Sequence, residues 1–288
     1  MLSDTRDRLL ALRADLHSHS SVSDGTLLPE QLVERAASQG VELFALTDHD
    51  EVLGLADAEA AARRLGLPFV PGVEVSVTWG GTTIHVLGLG VDYKNGILEG
   101  QLAKVRSGRI LRAQEMGEQL ARAGIEGAYE GALAYAGNPQ MIARTHFARY
   151  LVDTGHCRDV RDVFTRFLVE GKPGYVPHAW AALGDAVLMI RDAGGVAIVA
   201  HPGRYRITSL ALHELLDEFR AFGGTGIEVA TSNHSEREMM RFAELAREFG
   251  FEASGGSDFH GPGEAENVEL GRVARLPRDL LPVWHRFV

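Results

Sequence analysis

The chain has a single cysteine, Cys157, so an internal disulfide is impossible and a reducing compartment is expected. It has no apolar run near the roughly 20 residues of a membrane span. Residues 1–13 mix charges and carry too short an apolar run for a secretory signal, so cytoplasmic localisation without membrane contact is expected. Excess positive charge is also lacking: 29 Lys and Arg face 39 Asp and Glu, a formal net charge of −10. That argues against a uniformly basic nucleic-acid binder but leaves room for a local basic patch. Internal repeats and low-complexity segments are absent. What is present is 288 residues, 45% of them hydrophobic, ample for one large α/β domain with an insertion.

Strand-like and helix-like segments alternate from the start. Strands are predicted over 13–17, 41–46, 69–77 and 82–91, the last two joined by a hairpin at Gly80 and Gly81. Helices are predicted over 29–40, opened by Pro29 in a favourable first-turn position, and over 54–65, ended by Gly66 and Pro68. Residues 99–182 then read as helices with almost no strand character, including stripes at Leu98, Leu102, Val105, Ile110 and at Val160, Val163, Phe164, Phe167, Leu168. Alternation resumes with strands over 196–200, 226–230 and 249–253, helices over 184–193, 210–222 and 235–249, and a short C-terminal helix around Trp284. The organisation expected is a discontinuous barrel over 13–98 and 183–276 with a helical insertion over 99–182 that covers the active site.

The polar residues decide how the strands close. His17, His19, His49, Glu74, His85, His201, Asp258 and His260 each fall at the C-terminal end of a predicted strand, and Asp24 lies in the loop after the first. Ends of many strands converge only if the sheet closes, and barrel active sites are built there. The fold class expected is therefore a distorted (β/α)7 barrel, with an open doubly wound sheet as runner-up. A lone histidine at such a place is usually a core or capping residue. Six at equivalent positions, with carboxylates among them, would be costly to bury unless paired or bound to metal. Mixed imidazole and carboxylate ligands without a thiol suit manganese, iron or zinc rather than calcium. Nine ligands are too many for one ion, so two or three are expected, with Glu74 a natural bridge.

The segments His17-Ser18-His19, Thr47-Asp48-His49-Asp50, Gly72-Val73-Glu74 with His85, His201-Pro202 and Gly256-Ser257-Asp258-Phe259-His260 resemble, in order, the motifs of the polymerase-and-histidinol-phosphatase (PHP) family. The resemblance implies a distorted seven-stranded barrel with a trinuclear centre of divalent ions, most often manganese. It assigns one ion to His17, His19, Glu74 and Asp258, a second to Glu74, His85 and His201, and a third to Asp24, His49 and His260. Many relatives carry a histidine where this chain has Asp24. Met141-Ile142-Ala143-Arg144-Thr145-His146-Phe147-Ala148-Arg149 and Gly171-Lys172-Pro173-Gly174-Tyr175-Val176-Pro177-His178 resemble a subgroup containing 3′,5′-nucleoside bisphosphate phosphatases and 5′-to-3′ exoribonucleases. The implied function is hydrolysis of a terminal phosphate, most simply the 3′-phosphate of a bisphosphonucleoside.

In that chemistry a water bridging two divalent ions is the nucleophile. Glu74, Asp258 and His260 are the expected catalytic residues, with Asp258 shuttling a proton to the leaving oxygen. Residues 99–182 carry 11 Lys and Arg against 9 Asp and Glu, whereas the rest of the chain carries 18 against 30. The insertion is thus the basic part of an acidic protein, and Arg109, Arg112, Arg144, Lys172, His178 and Arg204 are the expected substrate contacts. Substrates expected are a small nucleotide or an RNA 5′ end, with no obligate protein partner. The alternatives are an exoribonuclease, a histidinol phosphatase, a C–N hydrolase, and a non-catalytic domain docked on a polymerase. The complete ligand set argues against the last.

Overall fold

The computed structural model of the chain describes residues 2–94, 96–264 and 267–288, with side chains from Arg6 onward. Seven strands, β1 (Ala14–Asp15), β2 (Leu43–Leu46), β3 (Phe69–Trp79), β4 (Thr82–Leu89), β5 (Val196–Val199), β6 (Gly226–Thr231) and β7 (Glu252–Gly256), lie side by side in sequence order. Neighbours pair in parallel except where β4 runs antiparallel to β3 and β5. Leu16 N–H donates to Gly255 O at 3.1 Å, and Asp258 N–H to His17 O at 2.8 Å. These bonds bring the last strand against the first, so the sheet is nearly closed into the expected distorted barrel rather than open.

Helices α1 (Leu2–Ala11), α2 (Pro29–Ser38), α3 (Leu55–Leu65), α4 (Gly96–Arg106), α5 (Arg109–Arg122), α6 (Ala128–Leu133), α7 (Arg144–Asp153), α8 (Val160–Val163), α9 (Leu183–Asp192), α10 (Ser209–Ala221) and α11 (Glu236–Phe249) complete the chain. Their ends follow local chemistry. Pro29 opens α2, whose Leu32, Val33 and Ala36 are buried as one stripe. Ser235 and Glu238 cap α11 reciprocally, with hydrogen bonds of 2.8 and 3.3 Å.

Several elements differ from the sequence reading. The first strand is only two residues long, and beyond it His17 O and His19 N–H bond to Asp258 and Phe259 after the last strand. The last strand lies later than expected: Phe249 completes α11, and the small residues Ser254, Gly255 and Gly256 form the strand. Gly256 is required there, since a Cβ would sit 2.3 Å from His17 Cβ. The stripe through Ile110 is two helices broken at Ser107 and Gly108, and the C-terminal helix is one 3-10 turn, Val283–Arg286.

The apolar interior forms two clusters. The larger fills the barrel and its outer helices, with Leu16, Phe44, Phe219 and Phe259 fully buried, and it includes Leu98 and Leu102 of α4. The smaller is made of α5 to α8 and its neighbours, with Leu120, Phe147, Leu151 and Leu168 at its centre. The expected boundary at 98/99 thus falls inside α4, and the second cluster begins beyond Arg106.

Candidate metal centre

All nine residues singled out as ligands meet at one mouth of the barrel. Four overlapping groups have their donor atoms within 4.8 Å of one another: His19, Asp24, His49 and His260; His17, His19 and Glu74; His17, His201 and Asp258; His49, Glu74 and His85. Glu74 is central. Its Oε1 lies 2.8 Å from both His85 Nδ1 and His201 Nε2. Its Oε2 lies 3.3 Å from His17 Nε2, 3.3 Å from His19 Nε2 and 3.0 Å from His49 Nδ1. Asp258 Oδ1 faces His17 and His19 at 3.4 and 3.2 Å. Asp24 Oδ1 faces His260 Nε2 at 3.3 Å.

The strands deliver these groups with local strain. Asp50, His201 and Asp258 have φ of 46°, 23° and 55°, in the region that disfavours side chains, and each follows a strand end at the site. Each is held in place. The Asp50 carboxylate accepts from Ser76 N–H at 2.6 Å and from Arg109. His201 N–H donates to Glu228 Oε2 at 2.6 Å. Asp258 N–H donates to the carbonyl of His17.

Buried groups behind the ligands fix their orientation. Glu228, fully buried on β6, lies 3.1 Å from His17 Nδ1, which leaves Nε2 to face the cluster. Asp48 accepts from Ser20 and Ser23 hydroxyls, both at 2.6 Å, and holds the loop that carries Asp24. Asp15 accepts from Ser257 N–H at 2.8 Å, beside Asp258. The sequence reading passed over these carboxylates. An acid within the apolar strand Gly-Ile-Glu-Val-Ala-Thr was the visible sign of Glu228.

The electrostatics are those of a dense ionised cluster. Burial would raise Glu74, but the neighbouring imidazoles of His85, His49 and His17 hold it well below the usual carboxylate range. Burial opposes ionisation of Asp258 too, yet Arg204 and His17 hold it low. Burial would lower His19, but the carboxylates of Asp258 and Glu74 beside it raise it to about 10. His201 is pushed the other way, to about 4, chiefly by burial.

The residues fit divalent cations. His17 Nε2, both His19 nitrogens, Asp24 Oδ1, His49 Nδ1, Glu74 Oε2 and Asp258 Oδ1 are buried without a hydrogen-bond partner. Such orphaned atoms are costly unless they serve a further ligand. Two donors on one tetrahedral ion, each about 2.1 Å away, stand about 3.4 Å apart, the spacing of the pairs measured around Glu74 and Asp258.

A cavity of about 510 Å³ leads from Asp24, His49, His85 and His260 towards the helical segment. Of the expected substrate contacts, Arg109, Arg112, Arg144, His178 and Arg204 line it. Lys172 does not; it is exposed on a turn beyond Phe164–Leu168. Arg109 spends its charge on Asp50 and stacks on Trp180, with its guanidinium 4.5 Å from the ring centre. Arg204 pairs with Asp258 Oδ2 at 2.6 Å. Arg112 and Arg144 form no ion pair among the described residues. Arg112 donates to Val176 O at 3.0 Å, and Arg144 lies over Phe164. Burial and the neighbouring Arg144 and Arg109 lower Arg112 to about 9, and burial lowers Arg144 as well. His234 accepts from Gly203 N–H at 3.2 Å and supports the turn after His201.

Known proteins are similar to this chain in sequence and fold. The profile of the PHP domain matches residues 15–166. A 3′,5′-nucleoside bisphosphate phosphatase of Chromobacterium violaceum is 50% identical over 270 residues, covering 94% of each chain. A 5′-3′ exoribonuclease of Haemophilus influenzae is 41% identical over 273 residues, 95% of this chain and 98% of that one. Among solved structures, an amidohydrolase from Chromobacterium violaceum superposes with a TM-score of 0.93 at 49% identity, covering 96% of this chain and 95% of that one.

Proposed function

This chain belongs to the PHP-domain family and is a metal-dependent phosphoesterase, and from that premise we propose that it removes the 3′-phosphate of a 3′,5′-bisphosphonucleoside. The observation that carries this reading is that one cavity is lined both by members of the cluster, Asp24, His49, His85 and His260, and by Arg112 and Arg144, two guanidiniums without an ion-pair partner among the described residues. A substrate with an anion at each end satisfies both, and arginine binds phosphate through paired donors. Trp180, Phe164 and Tyr175 also line the cavity and suit a nucleobase.

Two or three divalent ions, with manganese the first choice over iron and zinc, would be held by His17, His19, Asp24, His49, Glu74, His85, His201, Asp258 and His260. Bound there, they would neutralise phosphoryl oxygens and acidify a coordinated water. The protein's own residues do the rest. Glu74 and the histidines would fix the ions that meet the scissile phosphate. Arg204, at the rim beside Asp258, neutralises its outer oxygens. Asp258, kept ionised by Arg204, takes a proton as water attacks phosphorus and hands it to the departing 3′-oxygen.

The same bond, phosphorus to the 3′-oxygen, is cut when a 5′-phosphorylated RNA loses its first nucleotide, and the shortened chain keeps a 5′-phosphate. A specific feature favours RNA as a second substrate. The cavity is also lined by exposed Gly81 and exposed Arg206, which offer a path for a continuing chain. C–N hydrolysis is disfavoured by five arginines along the cavity, Arg109, Arg112, Arg144, Arg204 and Arg206, which suit an anion rather than a neutral amide.

A substrate panel with manganese tests the reading. It compares a 3′,5′-bisphosphonucleoside, the nucleoside 3′-monophosphate, 5′-phosphorylated RNA, histidinol phosphate and an amide. The bisphosphonucleoside should have the highest kcat/KM. Turnover of histidinol phosphate alone, or of the amide alone, would overturn it.

A further inference from the structure

The segment Arg144-Thr145-His146-Phe147-Ala148-Arg149 opens α7, yet the reaction above uses only Arg144. The rest of the segment acts on Asp24. Thr145 Oγ1 donates to Asp24 Oδ2 at 2.6 Å. Arg149 Nη2 donates to the Asp24 carbonyl at 2.5 Å, and the same guanidinium pairs with Glu264 at 2.7 and 2.8 Å. Glu264 lies just beyond His260 in the chain. Before α7, Gly137 lies so close to the loop of Asp24 that a Cβ would meet Ser21 O at 2.5 Å. The helical segment therefore grips the loop of Asp24 at three points and the loop after His260 at one.

The other ligands are held differently. His17, Glu74, His85 and His201 stand on or beside strands, fixed by the ladder and by Glu228. Asp24 has no strand beneath it. A carboxylate on a loop can present either oxygen or swing away, and the Thr145 hydroxyl occupies Oδ2 and leaves Oδ1 towards His260 and His49, at 3.3 and 3.8 Å.

We propose that α7 is the support of the ion position formed by Asp24, His49 and His260, and that Thr145 is a positioning residue whose hydroxyl sets the reach of Asp24. The proposal rests on reading the cluster as a metal centre. It implies that occupancy of one ion depends on the helical segment, while the ions on Glu74 depend on the barrel alone.

Equilibrium dialysis against manganese, with bound metal counted by mass spectrometry, tests this on the full chain. Thr145→Val and Thr145→Ala should weaken one manganese site about 10–100-fold and leave the others at wild-type affinity. Thr145→Ser should keep all sites. The double variant T145V/D24A should bind as D24A does, since both changes act on one position. Wild-type affinity at every site in both removal variants, equal weakening at every site, or losses that add in the double variant would each overturn the proposal. Circular dichroism of the metal-free variants confirms folding, and a removal variant that cannot fold while Thr145→Ser folds normally would also overturn it, by making Thr145 a general structural residue. If the wild type takes up no manganese, the metal reading itself falls; if it does and the Thr145 variants match it, only this proposal falls.

Discussion

The barrel rim and the helical segment face one cavity and are built on opposite plans. The rim brings imidazoles and carboxylates from strand ends, with buried acids such as Glu228 and Asp48 behind some of them. The helical segment brings guanidiniums, two of them left without a counter-ion. Its own apolar cluster is separate from that of the barrel. On the proposed reading the difference separates two jobs: the rim would cleave the bond, and the helices would choose what is cleaved. Changes on the rim should therefore strike turnover, and changes on the helices should strike substrate choice.

The sharpest break should come at Glu74, which touches five histidines. Glu74→Gln should cost about 10³-fold or more in kcat/KM, with metal content down by more than one ion on the dialysis assay. Full activity with full metal would abolish its central place. Asp258→Asn comes next. If Asp258 moves a proton, turnover should fall about 10²-fold while metal content falls much less, and equal losses of both would reduce it to a ligand.

On the helical side the effect should be smaller and of another kind. Arg144→Ala should raise KM for a 3′,5′-bisphosphonucleoside about 10–100-fold, the loss of one charged hydrogen-bonding partner, with kcat nearly kept. The nucleoside 3′-monophosphate should be almost unaffected. Equal losses on both substrates would remove the far-phosphate role.

The mildest prediction concerns stability. His146 is fully buried in α7, and burial lowers it from the ordinary 6.5 to about 4. Its folded pKa lies below the unfolded one, so its contribution is complete above pH 6.5 and is lost as pH falls towards 4. The loss is at most about 3 kcal/mol. His146→Asn should therefore show a shallower fall of Tm across that window than the wild type, and identical slopes would refute the assignment.

The same contrast governs what could be read from the chain alone. The barrel was legible because strand ends are marked twice, by an apolar run and by the polar residue that follows it; all nine expected ligands meet. The supports behind them were not, since a buried Asp15 or Asp48 looks like any turn acid until its partners are placed. The helical segment was legible in charge but not in detail. Arg106, Arg109 and Arg112 recur every three residues, yet the break at Ser107 and Gly108 sends them to different partners. Arg106 reaches Asp50 O at 2.7 Å, Arg109 the Asp50 carboxylate, and of the three only Arg112 is left without an ion pair among the described residues. Lys172 carried the right charge but sits on a turn outside the cavity. Thr145 was visible in its motif, but a threonine's role is set by the atom its hydroxyl meets, here Asp24 Oδ2.

The claim beneath all of this is that imidazoles and acids from separate strands cage cations that cut phosphate from a nucleotide. It is tested most directly by following inorganic phosphate released from 3′,5′-bisphosphoadenosine by the manganese-loaded protein, then after exhaustive chelation, then after manganese is restored. The account predicts one phosphate and one 5′-mononucleotide per substrate, silence without metal, and recovery with it. Undiminished release after complete removal of metal, or no release from fully loaded protein, would contradict it.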